Sequence, residues 1–301
     1  MGPVRKALTP AEIESAEENL FRSARGIVRE KPEFPWHRDQ FGAITASREE
    51  SSQALAVSFF VTIESLRSCD AIFARWNKHF ELEYAGPWKL YPEYTVPKSL
   101  LGEPRPTQID VLAEGGGGLI LFECKFTEKD GGGCSQPNPL ADGAHKGQRQ
   151  CNGNYEEQVN PINDIRARCA LTGKGIRYWD LVPEVMNVDA RIDHIKCPFK
   201  GGTYQWMRNL VAARALSRSL DRPSAFVLVY ADGAFPIAEK LRRPDWSGFL
   251  DSIRGRAVPF RSASYQQLLA LAVDEATPSD RGVLRDMGAW MEARFLAVDE
   301  D

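Results

Sequence analysis

Gln108-Ile109-Asp110-Val111-Leu112-Ala113-Glu114 leads into four glycines, Gly115 to Gly118, and then into Leu119-Ile120-Leu121-Phe122-Glu123-Cys124-Lys125-Phe126. Two apolar runs joined by glycines read as a β-hairpin, because glycine takes up positive φ without penalty. The second run is apolar and too short for a helix, so a buried strand is expected. Side chains alternate across a strand. Leu119, Leu121, Glu123 and Lys125 therefore share one face, and Ile120, Phe122, Cys124 and Phe126 share the other. An antiparallel register brings Asp110, from the first run, to Glu123 and Lys125.

That grouping is costly by itself. Two buried carboxylates repel, and each loses its hydration, at a cost of several kcal/mol unless a cation or hydrogen bonds compensate. A divalent ion such as Mg²⁺, held by one or two carboxylates, water and a phosphate oxygen, is the simplest compensation. A lysine beside it can orient a water and steady developing charge.

Asp110 followed by Glu123-Cys124-Lys125 on the next strand resembles the PD-(D/E)XK nuclease superfamily, within it a bacterial restriction-endonuclease-like family with a cysteine-containing insertion. Ile109 stands where many members have proline. The resemblance implies an α/β fold with an αβββαβ core and a mixed central sheet, and metal-dependent phosphodiester hydrolysis. It implies Asp110 and Glu123 as Mg²⁺ or Mn²⁺ ligands, with the Cys124 backbone carbonyl and Glu64 assisting, and Lys125 positioning the attacking water. It also implies that Gln205, on the helix after the Glu-Cys-Lys strand, reaches the scissile region, with Arg208 beside it. The partner is nucleic acid, with DNA favoured over RNA by the habits of the superfamily. The rival is a nucleic-acid-binding protein on the same fold without catalysis. The bland alternative is a structural Glu/Lys pair at a strand end.

The chain has 301 residues with a net charge of −3, so it carries no global basic footprint. A local basic stretch, Lys240, Arg242, Arg243, Arg254, Arg256 and Arg261, reads either as a groove for nucleic acid or as a solvated face. No apolar run reaches the ~20 residues needed to span a bilayer. Met1 to Lys6 lack an apolar leader-like run, so an intracellular, cytoplasmic chain is expected.

Around the hairpin, Thr9-Pro10-Ala11-Glu12 is a helix start with a capping box. Ser47 to Gln53 carries cap chemistry and leads into an apolar helix, Ala54 to Leu66, with Glu64 near its end. Phe80 to Tyr84 alternates and is expected as the first strand, with Leu90 to Leu100 irregular around Pro92 and Pro97. Tyr204 to Leu216 is helical, with Gln205, Arg208 and Asn209 clustered at its first turns. Ala225 to Tyr230 is a buried strand, and helices begin near Ser264 and Ser279. One domain spanning 1–301 is expected, with 127–202 inserted within it.

That insertion holds Cys134, Cys151, Cys169 and Cys197, four of the six cysteines. A stretch this long without order is unexpected inside a compact domain. Four thiolates can bind Zn²⁺ or an iron–sulfur cluster, and Cys197-Pro198 resembles a cluster ligand. No pair has C-x₂₋₄-C spacing, however, and free cysteines are the competing reading. His145 and His194 read as loop histidines, Gly173-Lys174-Gly175 as a turn, and Ile176 to Met186 as a packed segment rather than a base-stacking surface.

Overall fold

The computed structural model describes residues 8–31, 33–192 and 194–299; Met1 to Lys6 lie outside them. In chain order the elements are α1 (Pro10–Asn19), α2 (Ile27–Glu30), α3 (Ser52–Ser65), α4 (Cys69–Phe80), β1 (Lys89–Thr95), α5 (Lys98–Leu101), β2 (Gln108–Gly115) and β3 (Gly118–Lys125). The inserted segment follows, with β4 (Asn154–Tyr155), β5 (Gln158–Asn160), β6 (Ile165–Ala167), α6 (Val182–Val185) and β7 (Ile195–Lys196). Then come α7 (Tyr204–Leu220), β8 (Ser224–Tyr230), α8 (Pro236–Leu241), α9 (Pro244–Ile253), β9 (Phe260–Ser264), α10 (Tyr265–Glu275) and α11 (Pro278–Asp299).

Five strands form one mixed sheet in the order β1-β2-β3-β8-β9. The first three are antiparallel neighbours; β3–β8 and β8–β9 run parallel. The parallel β3–β8 step needs a crossover, and α7 supplies it. This is the expected α/β core with flanking helices. The hairpin forms as read, with Val111 opposite Phe122 and Gly115 opposite Gly118. The glycines are needed for space rather than for positive φ, which none of Gly115 to Gly118 adopts. A Cβ on Gly117 would come within 2.8 Å of the Ala85 nitrogen, and one on Gly118 within 2.8 Å of the Tyr84 ring.

The first strand is not where alternation suggested. Phe80 closes α4, and Glu81 caps it in the left-handed region at φ 55°. Residues 80–84 therefore spend their pattern on a helix end, and Lys89–Thr95 forms β1 instead. Pro92 is tolerated because β1 is an edge strand and its missing N–H is not needed on the outer side. At the C-terminus the last helix begins at Pro278, so Ser279, read as its cap, lies inside the first turn.

The central strands are apolar on both faces because helices cover both. Every residue of β3 is buried. Helix α3 has no polar stripe: ten of its fourteen residues are buried, including Phe59, Phe60 and Ile63. Phe60 lies 4.7 Å, ring centre to ring centre, from Phe122, and burial of side chains of this size stabilises by about 1.5–3 kcal/mol each. The α1 capping box is present, with Thr9 and Glu12 bonding each other's backbone N–H. Tyr178, Trp179, Val182 and Val185 are buried, so 176–186 is a packed segment. No helix among the described residues is long and apolar enough to cross a membrane.

Candidate active site

The β1–β2 register pairs Pro92 with Val111 and Tyr94 with Ile109, which puts Glu93 level with Asp110. The β2–β3 ladder ends at Val111 and Phe122. Just past it, the Asp110 carboxylate accepts the Cys124 N–H at 2.7 Å. One residue further along β3's period, Lys125 Nζ donates to Glu123 Oε1 at 2.5 Å. The far oxygen of Glu123 accepts from Asn209 Nδ2 of α7 at 2.6 Å. Three carboxylates, Glu93, Asp110 and Glu123, thus cross three adjacent strands at one level.

Glu93 is held in the left-handed region, φ 54°, where a non-glycine residue is strained. Its Oε1 accepts from Gln53 Nε2 of α3 at 2.6 Å. Gln53 is itself fixed, accepting the His37 N–H at 2.8 Å and donating to the Pro35 carbonyl at 3.1 Å. The other oxygen of Glu93 is buried and accepts no hydrogen bond. His37 Nε2 stands 3.5 Å from it, and the imidazole is half exposed.

Negative charge is in excess here, and the titration directions follow from it. Burial and the charges of Glu123 and Glu93 hold the Asp110 carboxyl well above its ordinary range, against the pull of Lys125 and the Cys124 N–H. Burial disfavours the Lys125 ammonium, but Glu123 and Asp110 outweigh it and keep the lysine charged above its usual range. The approach of His37 to Glu93 raises the imidazole; burial opposes, and the Asp110 charge adds to the rise. A groove bordered by His37, Arg48, Ser52, Gln53, Thr127 and Glu128 opens beside the cluster. Glu128 belongs to its wall, bonded to Ser52 Oγ and the Phe126 N–H.

Of the residues the sequence singled out, Asp110, Glu123 and Lys125 come together, with the Cys124 main chain beside them through its N–H. The Cys124 thiol is buried on the opposite side, against Tyr265. Glu64 does not join them. It sits at the other end of α3 and accepts the Leu90 N–H at 2.8 Å, so its carboxylate serves β1's backbone. Gln205 lies in the first turn of α7, where its N–H bonds Gly131, and Arg208 stacks over the Tyr204 ring. The contact from this helix to the cluster is made one turn later, by Asn209. Sequence reading missed Glu93, Gln53 and His37. The stretch around Pro92 was read as irregular, and His37 lay in a connector. The polar residue at the start of an otherwise apolar helix, Gln53, was the available signal.

The basic stretch at 240–261 is ion-paired: Lys240 with Asp245, Arg242 with Asp232, Arg243 with Glu239, Arg254 with Asp251, and Arg261 with Glu81. Arg256 donates instead to the Asn187 side chain. Among the described residues, no group of three or more His, Cys, Asp or Glu side chains is placed to hold a metal ion as it stands, at this cluster or elsewhere. No curated protein and no solved structure matches the chain. A family model does, over residues 4–295. By that match across nearly its whole length, the chain belongs to the family described as Restriction Endonuclease associating with ARP.

Proposed function

We propose that this protein is a divalent-metal-dependent nuclease of the PD-(D/E)XK type that hydrolyses phosphodiester bonds in DNA, with Glu93, Asp110 and Glu123 as the carboxylates of the metal site and Lys125 as its fixed cation. The observation that carries the reading is the alignment of three carboxylates across β1, β2 and β3, with the Lys125 ammonium bonded to Glu123 among them. The family description, which names a restriction endonuclease, supports the same class of reaction.

The residues suit Mg²⁺. They are hard oxygen donors, they carry more negative charge than Lys125 balances, and one buried oxygen of Glu93 has no hydrogen-bond donor. Bound there, Mg²⁺ would neutralise phosphate charge and make a coordinated water more acidic. The chain's own groups do the rest. Lys125 stays protonated beside Glu123, so its work is to donate a hydrogen bond to the attacking water and to steady charge growing on the phosphoryl oxygens. Asn209 fixes the Glu123 carboxylate, and Gln53 fixes that of Glu93, so neither needs to reorganise during the reaction. The backbone carbonyl of Cys124 is a further candidate ligand. The groove beside His37 and Arg48 is the approach for the substrate backbone.

The test is cleavage of supercoiled plasmid and of linear duplex with Mg²⁺ or Mn²⁺, comparing wild type with Asp110→Asn and Lys125→Ala. Metal-dependent cleavage by wild type and loss in both variants is the expected outcome. Binding of DNA with no cleavage under any divalent metal would replace this reading with a non-catalytic binding protein.

A further inference from the structure

The inserted segment between β3 and α7 is poor in regular structure. Its strands are two or three residues long and pair only as two-stranded ribbons, β4 with β7 and β5 with β6. Two-stranded ribbons of this size do not hold themselves together in water. Yet this segment carries four cysteines on four separate loops: Cys134 after β3, Cys151 before β4, Cys169 after β6 and Cys197 after β7. All four line one small cavity, together with Tyr155, Leu171 and Phe199. Its volume is about 10 Å³, room for one atom-sized occupant rather than an organic molecule. None of the four is in a disulfide.

We propose that Cys134, Cys151, Cys169 and Cys197 bind one Zn²⁺ as a tetrahedral four-thiolate site that cross-links the four loops of the insertion.

Two features favour an ion over four idle thiols. The surroundings are arranged for thiolate: the Gln136 N–H points at the Cys134 sulfur, the Gly153 N–H at Cys151, and the Phe199 N–H at Cys197. Each is the amide two residues on, so three loops repeat one device, and such outer-shell donors orient and stabilise metal-bound sulfur. Cations stand by to offset the double negative charge of a four-thiolate zinc centre. Lys174 favours the thiolate forms of Cys134 and Cys151, and Lys200 that of Cys151. Lys174 is anchored there by Gln136 and Gln150. Binding expels four protons to solvent and replaces S–H with Zn–S bonds of ~2.3 Å. The sulfurs would have to turn inward from the cavity wall to reach that distance, since no three of them stand around a metal position as placed. The chemistry is redox-neutral.

The experiment uses the full chain, purified without chelator, and measures metal by elemental analysis and thiols by titration under denaturation. About one zinc per chain is expected, with no visible absorption from an iron–sulfur chromophore, and Co²⁺ exchange should give sulfur-to-cobalt charge transfer and tetrahedral d–d bands. Cys134→Ser and Cys169→Ser should each lose the metal. Cys69→Ser, buried in α4 outside the insertion, should keep it, and so should Asp110→Asn. Wild-type metal content decides the matter even if the serine variants fail to fold. Metal-free protein, iron with labile sulfide, disulfides among the four, or zinc lost on Asp110→Asn would each overturn the proposal. None of these outcomes depends on whether the chain cleaves DNA.

Discussion

Lys125 Nζ lies 2.5 Å from Glu123 Oε1, and both side chains are buried to within about a twentieth of their surface. A pair so placed has given up its hydration and depends on its partners. Glu123 keeps Asn209 as a second donor, while Lys125 has the Asp110 and Glu128 charges near it.

Removing one member of such a pair strands the other. Lys125→Met should destabilise the metal-free protein by about 3–5 kcal/mol, because Glu123 would stay buried without its cation. The double change Glu123→Gln with Lys125→Met should cost less than the sum of the two single changes. Urea denaturation of the three variants reads this directly; simple additivity would mean the pair is not coupled.

Glu93→Gln separates the metal role from the structural one. Its Oε1 is satisfied by Gln53, and the substitution keeps that side's shape, so stability should change by under about 1 kcal/mol. Its free oxygen is the proposed ligand. Cleavage should fall at limiting Mg²⁺, by about tenfold or more on the scale of a lost ligand or its outer-shell partner. Unchanged cleavage at every Mg²⁺ concentration would remove Glu93 from the site.

Glu64→Ala makes the opposite prediction. The lost bond to the Leu90 N–H should cost about 1 kcal/mol in stability. The Mg²⁺ dependence of cleavage should not move. A variant of native stability with no activity would return Glu64 to the catalytic group.

Acidity gives a fourth test. The folded Asp110 carboxyl titrates above its unfolded value of 3.8, so its contribution to stability is full below that value and is lost as pH rises through the folded one. His37 has the same sign: raised above 6.5, it stabilises below that pH and loses the contribution as pH climbs past its folded value. Mg²⁺ needs the ionised carboxylates and displaces the proton. The rise in Tm on adding Mg²⁺ should therefore be larger at about pH 8 than at about pH 5.5. An equal rise at both would place the metal away from Asp110.

Local chemistry made the hairpin legible. Period-two alternation fixed which face Glu123 and Lys125 share, and the glycines fixed where the chain turns, so an antiparallel pairing followed with Asp110 at its open end. The crossover helix, the strand 225–230 and the capped helix starts were readable for the same reason, since each is written in neighbouring residues. Residues 80–84 misled because alternation over five positions does not distinguish a strand from the end of an amphipathic helix.

What only the tertiary structure decided is which distant groups meet. Glu93 joins Asp110 through strand pairing across a proline-containing edge, and Gln53 and His37 reach it by packing of α3 on β1. Asn209 rather than Gln205 meets Glu123 because the packing of α7 on β3 selects the turn that touches. The four insertion cysteines share one cavity although no two are close in sequence. Contacts of this kind depend on loop closure and long-range packing, which a local pattern does not encode.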